Sequence, residues 1–276
     1  MQAVSYEYRK KADNFLGQKT FEFFLHFHGL ISILLIGVAV ATFFSGSAFR
    51  LNEYNQNTWL GAARGLEAAL NPFNLLLGIA LMFLARVLGA MYFINTTDNP
   101  TIHENSRKQV LINTLLFLPF FLGFVGWLLV RDGFAVSAHG QIVMEHYKYL
   151  HNMLALGFSG VGLFLIGVIL VLAGVFVTLY KQSRRGIWLS GLGTGLVTMT
   201  LFFLAGYNNT SFYPSYADLQ SSLTIHNASS SHFTLITMSY VSIAIPFVIA
   251  YIAYVWRAMN AKEMTVEEFK DNKEAY

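Results

Sequence analysis

Cysteine is absent from the 276 residues. That excludes disulfides, thiolate metal centres and iron–sulfur clusters held by cysteine. Charge is scarce as well. Asp, Glu, Lys and Arg make up 12% of the chain, about half of what a soluble domain carries. A water-soluble globule needs more polar surface than this, so that class is excluded too. The first twenty residues, MQAVSYEYRKKADNFLGQKT, are polar and basic. They hold no apolar core of the kind a cleavable leader has, so insertion is expected to rely on the first internal helix. What the chain has in excess is apolar: 55% is hydrophobic, including 25 Phe. The composition is that of an integral membrane protein.

A helix needs about 20 mostly apolar residues to cross a bilayer. Six windows qualify: 21–44, 72–93, 110–130, 153–179, 187–205 and 233–254. The expected fold is therefore all-α and polytopic, with six transmembrane helices in a bundle. The chain divides into a segment 1–20, a six-helix membrane domain 21–258 and a tail 259–276. No internal repeat or soluble domain is visible.

Orientation follows from the basic residues. Thirteen lie on one side: Arg9, Lys10, Lys11, Lys19, Arg107, Lys108, Lys181, Arg184, Arg185, Arg257, Lys262, Lys270 and Lys273. Four lie on the other: Arg50, Arg64, Arg131 and Lys148. Cytoplasmic loops retain the positive charge, so both termini are expected in the cytoplasm. The net charge of +3 is spread along the chain rather than gathered into a patch. It marks topology and not a nucleic-acid partner. The loop 213–232, YPSYADLQSSLTIHNASSSH, is then external, and it contains no Lys or Arg.

Local patterns add detail. Asn71-Pro72 reads as a helix cap followed by a first-turn proline. Ser230 or Ser231 is placed to cap the sixth span. Gly191 and Gly195 form a GxxxG pair on which a neighbouring helix is expected to close; Gly157, Gly160, Gly167 and Gly174 have the same capacity. Pro246 should kink the sixth span. Tyr251, Tyr254, Trp256 and Arg257 form an interfacial anchor. The ending TVEEFKDNKEAY is expected to be a surface helix or disordered.

Ionisable groups inside the spans are few, and no Asp is among them. Arg86 lies about two-thirds along the second span. It suits a counter-charge for a cofactor carboxylate or a proton path, or else a snorkelling or structurally paired arginine. Glu22 opens the first span. It suits a proton relay with His26, since i and i+4 share a face, or an interfacial acid favoured by the helix dipole. His26 and His28 point to different sides of one helix, a poor arrangement for haem ligation. His139, His146 and His151 have no matched carboxylate set for a metal.

The segment from Tyr213, YPS…LQSSLTIHNASSSHFTLITMSYVSIAIPFVIAYIAYVWRAM, strongly resembles the C-terminal part of subunit II of cytochrome bd quinol oxidases. That family carries a P…SLT…(D/N)ASSS…TL loop before a last helix that contains proline. Upstream, YEYRKK, IGVAVATFFSG, ALNPFNLLLG and GAMYF follow in the family's order, so the likeness spans nearly the whole chain. Two departures stand out: a common Gly-Asn reads Ala41-Thr42, and the usual Asp of DASSS is Asn227. The family also begins with about three further membrane helices, so a truncated, internally started or split subunit is expected.

The resemblance implies two four-helix bundles plus one peripheral helix, in a bacterial plasma-membrane complex. It implies a partner, subunit I, that holds haems b and d, oxidises quinol and reduces dioxygen. This chain would bind no haem and supply no catalytic residue or metal ligand, with a structural quinone or lipid as its only bound small molecule. A separate chain carrying the missing helices is a further expected partner. The upstream helices being absent, apolar faces of the first span are expected to lack neighbours. The competing reading is a small-molecule permease, which needs ionisable groups near the midplane and internal symmetry. A cytochrome in its own right would need His26 or His28 as ligands.

Overall fold

The computed structural model describes residues 2–11, 16–259 and 261. The tail TVEEFKDNKEAY lies outside them. Helix α1 (Gln2–Tyr8) rests on the start of α2 (Gln18–Ser45), with the Tyr8 and Phe21 rings stacked at 6.5 Å. An antiparallel hairpin, β1 (Phe49–Leu51) and β2 (Asn57–Trp59), and a 3-10 turn, Leu66–Leu70, follow. Then come α3 (Pro72–Thr96) and α4 (Pro100–Val130), and a second hairpin, β3 (Gly133–Val136) and β4 (Ile142–Glu145). Helices α5 (Lys148–Ala155), α6 (Val161–Leu179) and α7 (Gly186–Gly206) lead to a 3-10 turn, Leu219–Ser221, and α8 (Ile225–Ala228). The chain closes with α9 (His232–Ser242) and α10 (Ile245–Met259).

Among the described residues, six helical stretches are long and apolar enough to span a membrane, and they match the six windows. The edges differ for physical reasons. The third helix starts at Pro100 because Asn99 caps it, accepting from the Thr101 and Ile102 amides at 2.9 and 3.3 Å. Its first ten residues are mostly polar and extend the helix beyond the apolar window. The fourth window contains two helices. Gly157, with φ +55°, takes the left-handed turn that separates α5 from α6. Asn71 caps α3 as its position suggests, accepting from the Phe73 amide at 3.0 Å.

The sixth span breaks just before Pro246. The amides of Ile243 and Ala244 reach only three residues back, to Tyr240 O at 3.1 Å and Val241 O at 2.9 Å. Proline offers no amide to the carbonyl four residues earlier. Ser231 caps α9, with its hydroxyl 3.4 Å from the Thr234 amide. From His232 to Met259 no residue is buried in the isolated chain, and all but the half-buried Val255 are exposed. Tyr92 meets Trp256 edge-on at 6.3 Å.

The bundle is two antiparallel pairs, α3 with α4 and α6 with α7, closed through α3–α7 and α4–α6 contacts, with α2 against α3. Its core stacks Leu77, Phe117, Phe121, Phe164 and Leu201, and Phe73 meets Phe124 at 4.9 Å near the external end. Glycines set the closest approaches. At α2–α3, a Cβ on Gly37 would stand 2.7 Å from the Gly78 Cα. At α6–α7 the contact is Gly193 on Gly167, and Ser190 Oγ donates to Val171 O at 3.0 Å. The expectation for the GxxxG pair is corrected here: a Cβ on Gly191 or Gly195 meets nothing within 4 Å. The spacing was right for a seam, but the seam runs along Gly186, Ser190 and Gly193, a different face of the same helix.

A Gly193→Leu variant should therefore part α6 from α7, since its Cβ would lie 2.5 Å from Gly167 O. The expected cost is at least about 1–3 kcal/mol, read as a lower thermal midpoint of the purified protein. Gly191→Leu should leave the midpoint near the wild-type value.

Candidate functional site

Arg86 projects from α3 to the amide side chains of α4. Its Nε donates to Asn113 Oδ1 at 2.9 Å, and an Nη donates to Gln109 Oε1 at 3.3 Å. Asn113 is buried, and its Nδ2 donates back to Gln109 O at 2.7 Å. The partners are neutral, and no ion pair is formed by Arg86 among the described residues. Gln109 directly follows Arg107 and Lys108 on the basic side of the membrane. The guanidinium thus sits close to the boundary on the basic side as α4 measures it, although α3 runs on to Thr96. A furrow of about 310 Å3 opens beside it between the two helices.

Glu22 and His26 do share a face of α2, but the carboxylate and the imidazole are not bonded to each other. His26 Nδ1 lies 2.7 Å from the backbone carbonyl of Glu22, while Gln18 Nε2 donates to Glu22 Oε1 at 2.7 Å. His28 is 3.4 Å from the Ser32 hydroxyl. Arg86 makes no contact with either residue of the Glu22–His26 pair. Among the described residues no three His, Asp or Glu side chains converge as a metal site. His146 instead meets Asp132 at 2.6 Å, and His151 meets Glu145 at 3.0 Å.

The hydroxyl-rich loop is densely hydrogen-bonded. Ser211, Ser215 and Ser222 are fully buried. Ser215 Oγ donates to Phe49 O at 2.5 Å, and Ser211 Oγ donates to Leu223 O at 2.7 Å. Ser222 Oγ accepts from the Ser215 amide at 3.0 Å, and Ser221 Oγ accepts from the Leu51 amide at 3.0 Å. Each hydroxyl bonds a buried or half-buried backbone group. The loop is thereby stitched to β1 and to the end of α2. Thr224 and Asn227 close a capping box on α8: Asn227 Oδ1 accepts from the Thr224 amide at 2.6 Å. Asn227 Nδ2 also donates to Ser222 O at 3.0 Å. A carboxylate at 227 would keep the first bond and lose the second, so Asn serves this loop at least as well as Asp.

Beneath this cap lies a belt that composition did not reveal. Tyr149 is buried among Phe44 and Phe124, and its hydroxyl donates to Phe44 O at 3.2 Å. Burial pushes its phenol well above the ordinary range. Arg131 covers the face of Phe73 at 4.3 Å, and burial lowers its guanidinium from the usual value. Lys148 is also buried and pairs with Glu145 at 2.9 Å. Partial burial pushes the Glu145 carboxyl up, but hydrogen bonds from Lys148 and His151 more than offset this and hold it below its ordinary 4.5. Inside the bundle, an apolar cavity of about 260 Å3 is lined by Leu84, Phe117, Phe121 and Val168, with Thr194 and Thr198 at its side.

Residues 1–259 match the family model described as cytochrome bd terminal oxidase subunit II. The chain is 24% identical over 273 residues to a probable cytochrome oxidase subunit 2 of Haemophilus influenzae, covering 93% of this chain and 68% of that protein. It is also 24% identical over 286 residues to the cytochrome bd-I ubiquinol oxidase subunit 2 of Escherichia coli K12, covering 98% and 72%.

Two outcomes follow from the cap and the belt. Ser215→Ala leaves Phe49 O buried without a donor, at an expected cost of about 1–3 kcal/mol in thermal unfolding. Glu145, with its depressed folded pKa, contributes stability above pH 4.5 that is lost as pH falls through the folded value. A Glu145→Gln variant should therefore show a flatter decline of unfolding midpoint below about pH 5 than the wild type.

Proposed function

Because the chain belongs to the cytochrome bd terminal oxidase subunit II family, we propose that it is the haem-free structural subunit of a quinol:oxygen oxidoreductase. In this reading haems b and d, the quinol site and the reduction of dioxygen to water belong to subunit I. This chain, a multi-pass protein of the bacterial inner membrane, supplies no reacting group. Its work is to hold its partner in the bilayer. The observation that carries the reading is the family match across residues 1–259.

Two features of the fold support it. Helices α9 and α10 are exposed along their length, and their break lies at membrane depth. Irregular backbone at that depth is tolerated where protein or a water-filled cavity covers it. A helix of another subunit is the cover we assign. Exposed Phe23, Phe27, Ile31 and Ile36 on α2 are assigned to helices of subunit I or of a further chain. The bundle cavity also suits a structural quinone or lipid, since its walls match an isoprenoid or acyl chain and offer few polar groups to a head. The permease reading has only the cluster at Arg86 to build on, and family membership favours the oxidase.

Purification of the tagged chain from native membranes tests this directly. A reduced-minus-oxidised spectrum of the eluate should carry a d-type haem signal, with subunit I among the co-purifying chains. A well-folded chain eluting alone and without haem would overturn the reading.

A further inference from the structure

We propose that the furrow between α3 and α4 holds the phosphate group of an anionic phospholipid of the cytoplasmic leaflet, with Arg86 as its counter-charge. The proposal does not depend on the oxidase reading. A guanidinium has five N–H donors. Two of those on Arg86 go to neutral amides, Asn113 and Gln109. The remainder have no acceptor among the described residues. The side chain is exposed, so its charge faces whatever fills the furrow. An arginine in that position, without an anion, is costly in hydrocarbon.

Depth selects the anion. Gln109 is two residues beyond Arg107, or about 3 Å deeper along the helix. The neighbouring cations are already engaged: Lys108 pairs with Glu104 at 2.8 Å, and Arg107 donates to Gln182 O at 3.2 Å. Arg86 lines the furrow and has only neutral partners among the described residues, so it is the cation that faces this space. The furrow is built to match. Its cytoplasmic end carries the Asn105 amide and the Ser106 hydroxyl, groups suited to phosphate oxygens. Its floor is opened by Gly89, where a Cβ would meet nothing within 4 Å. Phe93, 55% exposed, forms an apolar wall for the glycerol and upper acyl carbons. A carboxylate on a partner helix would satisfy the charge but would leave the Asn105–Ser106 mouth without a role. The observations therefore favour the lipid.

The test uses the protein as isolated from its membranes, with whatever subunits accompany it. Native mass spectrometry should find phosphatidylglycerol or a comparable anionic lipid retained at least about tenfold more by the wild type than by Arg86→Gln. In bilayer discs, added phosphatidylglycerol should raise the unfolding midpoint of the wild type over phosphatidylcholine alone, and should not raise that of Arg86→Gln. Should Arg86→Gln fail to fold, Gly89→Leu fills the furrow and keeps the Arg86 hydrogen bonds. The same loss of lipid is expected there. Inorganic phosphate should not displace the lipid; displacement by phosphate alone would make this a soluble-anion site and overturn the proposal. Equal lipid retention in wild type and variants would overturn it. So would a photo-crosslinker at Phe93 that captured a polypeptide and no lipid. None of these results alters the haem signal expected above, so failure here is distinguishable from failure of that reading.

Discussion

A backbone amide in hydrocarbon has no water to bond, so every stretch that crosses must satisfy its own N–H and C=O groups or borrow partners from protein. Much of this structure follows from that constraint. The α2, α3, α4, α6 and α7 spans are continuous helices, and even Pro119 stays within α4. Where the helix does break, at Ile243–Ala244, the chain is exposed on every side, and this is where a neighbour is most needed. Outside the bilayer the same constraint takes another form. The external loop folds onto the bundle end, and its serines and threonines bond the carbonyls and amides that folding removes from water. Hydroxyls accomplish this without importing a charge.

Charge is sorted by the membrane accordingly. The basic residues gather where the α3–α4 and α6–α7 connections meet, with Arg184 pairing to Asp98 at 2.7 Å across them. The opposite end keeps few cations, and three of the four are placed: Arg131 on the Phe73 ring, Lys148 on Glu145, and Arg50 3.5 Å from Asp218. Arg86 sits at the inner edge of the basic side, held by amides rather than by an acid.

Much of this was legible in residue order because it is local. The six windows, the Asn71 cap, a cap at Ser230 or Ser231 and the Pro246 break each depend on a few neighbouring residues. What was missed depends on faces and on distant partners. The GxxxG spacing of Gly191 and Gly195 says that a helix has a small-residue stripe, not which stripe is covered; Gly193 lies on the one that is. Glu22 and His26 have the spacing of a pair, yet a backbone carbonyl took the imidazole. Gln109 and Asn113 were the available signal for Arg86, two amides one turn apart on the next helix. They become partners only because α3 and α4 run antiparallel in that register. The two short hairpins and the buried Tyr149 belt were hidden between apolar runs, where periodicity is too brief to read.

The central claim is that positive charge marks the cytoplasmic side and the hydroxyl-stitched cap lies outside. The chain's lack of cysteine makes it directly measurable. Single cysteines would be introduced at Tyr54 in the external hairpin region and at Gln182 between α6 and α7, both exposed. A membrane-impermeant maleimide should label Tyr54→Cys in sealed right-side-out cells, and Gln182→Cys only after the membrane is opened. Labelling of Gln182→Cys in sealed cells, with Tyr54→Cys protected, would invert the molecule and contradict the account.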